Sequence, residues 1–204
     1  MKRLFVLLVL GLAGISAGTE TPAILVFGDS ISAGYGLAHV ETGWVEMLRT
    51  KLKSEGYGYQ VVNASVSGET TAGGVARLPR ALSLHHPQIV VIELGGNDGL
   101  RALPIAQMRT NLMQMVDLAT ASGAEVLLLG MRIPPNYGPE YTEQFRSTFT
   151  AIAQQDKVPV VPFLLEGIAL TPELVQGDGI HPNEQGQPIL LANVWPTLRP
   201  LLKK

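Results

Sequence analysis

Five short runs of Val, Ile and Leu divide the sequence, and they constrain its fold more than any other feature. Apolar residues within each run are continuous instead of alternating with polar ones, as in parallel strands that are covered on both faces. Segments with helical periodicity separate the runs. The sequence therefore predicts the α/β class, as a three-layer α/β/α sandwich around a central five-stranded parallel sheet. The predicted strands cover residues 23–27, 59–63, 89–93, 126–130 and 158–163. The predicted helices lie near residues 44–54, 71–82, 104–122, 140–155 and 184–202.

Composition narrows the class of protein further. A chain of 204 residues, 46% of them hydrophobic, fits one domain with a sizeable core. Lys and Arg number 15 against 17 Asp and Glu, without a basic run, so we expect no nucleic-acid partner. Cysteine is absent, which excludes disulfides, thiolate metal sites and a cysteine nucleophile.

The first residues have the order of a secretory leader. Two basic residues precede an apolar run over residues 4–13, and small residues follow it. This run is shorter than the roughly 20 apolar residues of a membrane-spanning helix; a buried N-terminal helix is the alternative. We therefore expect a signal peptide over residues 1–18, cleaved near Ala17 or Gly18, and one domain over residues 19–204. The expected location is the periplasm, with secretion or membrane association as alternatives.

Polar, glycine-rich clusters follow four of the predicted strands. In an open parallel sheet, ligands bind at the carboxyl ends of the strands, so we expect the clusters to meet at one edge. The clusters are Gly28-Asp29-Ser30, Ser67-Gly68-Glu69, Gly95-Gly96-Asn97-Asp98 and Asp178-Gly179-Ile180-His181-Pro182.

Ser30 is a candidate nucleophile, because it follows a buried strand closely and behind a glycine. A serine hydroxyl reacts only when a neighbouring base takes its proton. Asp178 lies three residues before His181, so its carboxylate can fix the imidazole tautomer and leave the other ring nitrogen as the base. Each segment also has a plainer interpretation. Gly-Asp-Ser is common in turns and helix caps, and Asp178 with His181 fits an Asx turn beside a surface histidine.

Acyl transfer also needs hydrogen-bond donors for the oxyanion that forms on the carbonyl oxygen. The candidates are the backbone N–H groups of Ser30 and Gly68 and the side-chain amide of Asn97. Taken alone, Asn97 would suit a turn and Gly68 a position with positive φ. Taken together with the nucleophile and the base, the three donors indicate a single reaction site.

The four clusters, in their order along the chain, resemble the four sequence blocks of the SGNH, or GDSL-type, hydrolases. The stretches 27–35, 93–101 and 178–182 are similar to one subgroup, the bacterial periplasmic acyl-hydrolases called thioesterase I, protease I or lysophospholipase L1, which are also arylesterase-like. This resemblance implies a flavodoxin-like fold and the hydrolysis of esters and thioesters without metal or cofactor. One departure is Glu69, where close relatives often have Asp, and it bears on substrate preference.

The resemblance also implies the role of each residue. Ser30 corresponds to the nucleophile, His181 to the base and Asp178 to the acid that orients the base. Ser30, Gly68 and Asn97 correspond to the oxyanion hole.

Three apolar segments, 100–105, 133–137 and 164–174, are candidate walls of an acyl groove, although they would equally pack on the core. The candidate substrate contacts are Asp29, Leu100, Arg101, Ile133, Tyr137 and Ile180. We expect small-molecule or lipid acyl esters as ligands, no membrane span after processing, and a monomer.

Two other functions remain open from the sequence. A carbohydrate O-acetyl esterase or an acyltransferase would use the same blocks. A non-catalytic nucleotide or phosphate binder is a more distant alternative, because the chain contains neither G-x-x-x-x-G-K-[ST] nor G-x-G-x-x-G. Within the expected domain, residues 19–204, G-x-S-x-G is also absent, which excludes the usual nucleophile elbow of α/β-hydrolases as the source of the serine.

Overall fold

A computed structural model describes residues 21–204 of the protein. The expected signal peptide, its cleavage near Ala17 or Gly18 and the first residues of the expected domain lie outside the described residues. Residues 21–204 contain a central parallel sheet with the strand order β2-β1-β3-β4-β5, which confirms the predicted α/β class. The strands are β1 (Ala23–Gly28), β2 (Gln60–Asn63), β3 (Ile89–Glu93), β4 (Glu125–Leu129) and β5 (Val160–Val161).

Helices cover the sheet in two groups. α3, α5 and α6 pack in a row, and α2 packs against α7. Along the described chain the helices are α1 (Ser30–Ala33), α2 (Trp44–Ser54), α3 (Thr71–His85), α4 (Gly96–Leu100), α5 (Ile105–Ala121), α6 (Pro139–Asp156) and α7 (Gln187–Leu198). Short 3-10 helices occupy Val40–Thr42, Pro135–Tyr137, Pro172–Leu174 and Arg199–Leu201.

β1 and β3 form the middle of the core. Every residue of both strands is buried, as their continuous apolar sequences predict for strands with both faces covered. The two strands pair in parallel, and Gly28 at the end of β1 lies opposite Glu93 at the end of β3. Consequently the segments that follow both strands leave the sheet side by side.

The main differences from the prediction concern β5, α7 and two short helices. β5 spans only Val160–Val161, because the prolines at 159 and 162 have no N–H to donate to a neighbouring strand. The short helices α1 and α4, which directly follow β1 and β3, were not predicted. α7 begins at Gln187 because Asn183 Oδ1 first accepts the N–H groups of Gln185 and Gly186 in a turn. Across residues 21–204, no helix combines the length and the hydropathy required to cross a membrane.

Candidate active site

Ser30 is the first residue of α1 and directly follows the turn at the end of β1. Asp29 caps this helix, since its Oδ1 accepts the N–H of Ile31 at 3.1 Å. The helix ends after one turn at Gly34, whose φ of 74° is a left-handed conformation that glycine adopts without strain. The first N–H of a helix has no acceptor within the helix, so the Ser30 N–H is available to a ligand.

His181 lies beside the Ser30 hydroxyl although 151 residues separate them in sequence. His181 Nε2 is 2.8 Å from Ser30 Oγ. The other ring nitrogen, Nδ1, is 2.6 Å from Asp178 Oδ2. Asp178 Oδ1 also accepts the N–H groups of Ile180 and His181, at 2.9 and 3.0 Å. Asp178 therefore forms the Asx turn and also belongs to the triad, and the turn holds its carboxylate against the imidazole.

The charge of Asp178 suits this contact. Burial opposes ionisation of Asp178, but the hydrogen bonds from the His181 ring and from the N–H groups of Ile180 and His181 outweigh it and lower the pKa of Asp178 to about 2. The carboxylate stays ionised at neutral pH, so it keeps a proton on His181 Nδ1 and leaves Nε2 free to accept one from Ser30.

Gln176 anchors the loop that carries His181. Its side-chain amide donates to the carbonyl oxygens of Tyr35, at 2.8 Å, and Pro182, at 3.1 Å. Its backbone N–H donates to the carbonyl of His181 at 2.8 Å. The Tyr35 ring also lies against the His181 ring, with centroids 4.8 Å apart. The loop is thus fixed to the segment that follows α1 and the nucleophile.

The three predicted oxyanion donors line one groove together with His181. Asn97 lies in α4, and its Nδ2 donates one hydrogen to Asp29 Oδ2 at 3.0 Å. An amide nitrogen carries two hydrogens, so a second remains for an oxyanion. Gly68 has a φ of 78°, which would strain any other residue at this position.

Contacts from Asp98 join the segments that carry Asn97 and Gly68. Asp98 is 3% exposed and accepts the N–H of Thr71 at 2.9 Å and its hydroxyl at 2.6 Å. Because Thr71 begins α3, this carboxylate ties the start of α3 to α4. On the other side of Gly68, Glu69 forms an ion pair of 2.6 Å with Arg77, which steadies the loop next to the oxyanion donor.

The groove has a volume of about 540 Å³ and is mostly apolar. Its apolar walls include Leu100, Met131, Ile133, Phe163, Leu165, Leu170 and Ile180. Of the predicted substrate contacts, Asp29, Leu100, Ile133 and Ile180 line the groove.

Arg101 and Tyr137 lie beside the lining. Arg101 donates to the Gly68 carbonyl at 3.0 Å, and the Tyr137 hydroxyl donates to the Leu100 carbonyl at 2.7 Å. Arg101 therefore supports the segment of the oxyanion donor Gly68, and Tyr137 supports Leu100 in the groove wall.

Asp29 lies at the floor of the groove and is 2% exposed. Its carboxylate is directed at Ile31 and Asn97, so it contributes to the shape of the site through these two residues. Burial is the largest influence on this group and raises the pKa of Asp29 to about 6, against the opposing effect of its hydrogen bonds.

Sequence analysis gave no role in this site to Glu93, Asp98 or Gln176. Glu93 and Asp98 had a detectable signal, because each is a carboxylate in or beside a buried, apolar or glycine-rich segment. Gln176 had none, since its role depends on a contact with Tyr35 that only the folded chain creates.

Comparison with known proteins shows which family and which solved structures this chain resembles. Residues 26–189 match the model of the GDSL-like lipase/acylhydrolase family. The chain is 52% identical over 202 residues to "Esterase TesA" of Pseudomonas aeruginosa, covering 99% of this chain and 100% of the relative. It is 41% identical over 179 residues to "Thioesterase 1/protease 1/lysophospholipase L1" of Escherichia coli strain K12, covering 88% of this chain and 84% of the relative. A solved structure described as that of TesA has a TM-score of 0.86 and 55% identity, over 88% of this chain and 99% of that one.

The raised pKa of Asp29 predicts how stability changes with pH. Between the ordinary pKa of 3.8 and about 6, the folded state binds a proton at Asp29 that the unfolded state has released. The contribution of Asp29 to the free energy of unfolding is therefore largest at low pH and falls as the pH rises to about 6, by at most about 3 kcal/mol.

Asp29→Asn removes this titration and serves as the reference. Urea unfolding of both proteins from about pH 4 to about pH 7 gives the difference in unfolding free energy, wild type minus variant. We expect this difference to fall across the range. Titrations common to both proteins, such as that of Asp178, cancel in the difference. A difference that stays constant or rises with pH would contradict the prediction.

Proposed function

The chain belongs to the GDSL-like lipase/acylhydrolase family, and on that premise we propose that it is a serine hydrolase that cleaves carboxylic esters and thioesters through an acyl-enzyme formed on Ser30. Ester and thioester hydrolysis is supported by the names of its relatives, an esterase and a thioesterase/lysophospholipase. One observation carries the proposed route. His181 Nε2 lies 2.8 Å from Ser30 Oγ while Asp178 accepts from Nδ1, at the end of an apolar groove.

In the acylation step, Ser30 Oγ attacks the acyl carbon and passes its proton to His181 Nε2. The carbonyl oxygen becomes an oxyanion, which accepts hydrogen bonds from the N–H groups of Ser30 and Gly68 and from Asn97 Nδ2. His181 then gives its proton to the leaving alkoxide or thiolate as the bond to the acyl carbon breaks. The acyl group remains on Ser30 as an ester.

Deacylation repeats these steps with water as the nucleophile. His181 takes one proton from water while the hydroxide adds to the acyl carbon, and the oxyanion returns to the same three donors. When the bond to Ser30 Oγ breaks, the proton on His181 restores the serine hydroxyl and the free acid leaves. Throughout the cycle, ionised Asp178 stabilises the positive charge on the His181 ring.

The groove favours an acyl chain as the group bound beside Ser30. Its walls are apolar, and exposed side chains such as Tyr35, Leu170 and Ile180 lie at its rim. Burial of a methylene group contributes about 0.8 kcal/mol, so such a groove gains affinity with each carbon it covers. Aryl esters, lysophospholipids and acyl thioesters are the proposed substrates, since each joins an apolar acyl or aryl group to a reactive carbonyl.

The catalytic assignment is tested by three variants and one label. We expect Ser30→Ala and His181→Ala to lose kcat/KM for a p-nitrophenyl ester by several orders of magnitude. Asn97→Ala should lose less, roughly a hundredfold, because two backbone donors remain. A fluorophosphonate should form its adduct on Ser30, located by mass spectrometry. An adduct on another residue, or small and equal losses in the three variants, would refute the assignment.

Acyl chain length tests the groove. We expect kcat/KM for p-nitrophenyl esters to rise roughly fourfold for each added methylene until the groove is filled. Leu100→Asp places a charge on the groove wall and should flatten this rise. Leu84→Asp is a matched control, because Leu84 is 68% exposed on α3 and outside the groove. Highest activity on acetyl esters would favour the O-acetyl esterase alternative, and product formed on an added alcohol would favour an acyltransferase.

Export to the periplasm is a further part of the proposal. It is supported by the basic start of the sequence, the apolar run over residues 4–13 and the small residues up to Gly18. Protein from the periplasmic fraction should have the intact mass of a chain cut near Ala17 or Gly18. Leu8→Arg interrupts the apolar run and should hold the uncut protein in the cytoplasm. A periplasmic protein that retains Lys2 would contradict cleavage.

A further inference from the structure

Glu93 is an acidic residue at a fully buried position of the sheet, and the catalytic cycle leaves it without a role. It ends β3 and has no exposed surface. Its Oε2 accepts two hydrogen bonds, from the N–H of Asp29 at 3.2 Å and from the hydroxyl of Ser32 at 2.7 Å. Those donors lie on either side of Ser30 in sequence. One carboxyl group thus holds both ends of the turn that carries the nucleophile.

Gly28 leaves the space that this carboxyl group occupies. A Cβ added at Gly28 would lie 2.6 Å from Glu93 Oε2, closer than any real contact. The register of the sheet places these two residues opposite each other, so the carboxyl group sits directly under the start of the turn. The glycine before Asp29 and Ser30 is therefore required by the position of the Glu93 carboxyl group.

We propose that Glu93 is a positioning residue for acyl transfer, whose buried carboxyl group holds the Asp29–Ser32 turn so that Ser30 presents its hydroxyl to His181 and its N–H to the oxyanion. This inference rests on the proposed function. Glu93 acts through Asp29 and Ser32 and does not line the substrate groove.

The surroundings of Glu93 favour the neutral form of its carboxyl group. Its second oxygen, Oε1, is buried without a hydrogen-bond partner among residues 21–204, which a carboxylate tolerates less well than a protonated acid. Burial first, and then the nearby charge of Asp29, raise the pKa of Glu93 well above its ordinary value. Asp29 in turn interacts with the positive charge that His181 carries when it is protonated. A neutral acceptor suits this position, because a second negative charge beneath the donors would oppose the oxyanion.

The test compares Glu93→Gln, Glu93→Ala and Glu93→Asp in the hydrolysis of a p-nitrophenyl ester. Gln keeps a neutral acceptor in the place of Oε2, so we expect its kcat to stay within about threefold of wild type. Ala removes the acceptor. Asp is shorter than Glu by one methylene group, so its carboxyl group lies farther from Asp29 and Ser32. Both should lose kcat by roughly ten- to a hundredfold, the scale of a misplaced reacting group, with KM changed by less than about threefold.

Ser32→Ala is a second and milder variant, because it removes one of the two hydrogen bonds and leaves the carboxyl group in place. We expect it to lower kcat by less than Glu93→Ala and to leave KM unchanged. It tests the proposal even where Glu93→Ala does not fold.

A matched control separates positioning from a general loss of stability. Ile89 is 1% exposed at the opposite end of β3, far from the nucleophile turn. Ile89→Ala should lower the urea midpoint of unfolding at least as much as Glu93→Ala but leave kcat close to wild type. The proposal is overturned if Ile89→Ala loses as much kcat, if Glu93→Ala keeps its kcat, or if Glu93→Gln is as impaired as Glu93→Ala. Absence of ester hydrolysis in wild-type protein would instead refute the proposed function.

Discussion

β1 and β3 end side by side at one edge of the sheet, and this arrangement determines the geometry of the reacting groups. Both strands are buried along their whole length and end opposite each other, at Gly28 and Glu93. Each then turns into a short helix, one beginning at Ser30 and the other carrying Asn97. The nucleophile and one oxyanion donor are thereby positioned by main-chain hydrogen bonds of a rigid sheet. Rigid support matters because donors that are already in place need no reorganisation when charge develops.

Carboxyl groups in this site differ in charge according to their surroundings. Asp178 lies near the surface and accepts several hydrogen bonds, which keep it ionised beside the His181 ring. Glu93 lies in the interior, where burial raises its pKa well above the ordinary value, and Asp29 has an intermediate pKa of about 6. Negative charge is thus present where an imidazolium forms and reduced where an oxyanion forms. This distribution follows from solvation and hydrogen bonding, since the side chains themselves are chemically alike.

Sequence reasoning predicted the five strands and the polar segments that the structure brings together at one sheet edge, for physical reasons that can be named. Strands buried on both faces have continuous apolar sequences, so β1 and β3 were predicted almost to the residue. The turn residues Gly, Asp and Ser marked the sheet edge. Sequence periodicity did not predict α1 and α4, because a helix of one turn is too short to show it.

Hydrogen bonds between residues far apart in the chain could not be predicted from the sequence. Gln176 bonds to the Tyr35 carbonyl across 141 residues, and the Arg101 side chain bonds to the Gly68 carbonyl across 33. Neither residue type marks such a contact by itself, since Gln and Arg are common on solvated surfaces. The boundaries of β5 were missed for a local reason, the two flanking prolines.

The loop that carries His181 has a consequence for the order in which the protein matures. Ser30 is among the first described residues to leave a ribosome, whereas His181 follows every strand of the sheet. Closing a contact across 151 residues requires the intervening chain to be compact already, because loop-closure entropy opposes it in an open chain. The hydroxyl therefore gains its base only when the sheet is complete, so that a nascent or partly folded chain carries an unactivated serine.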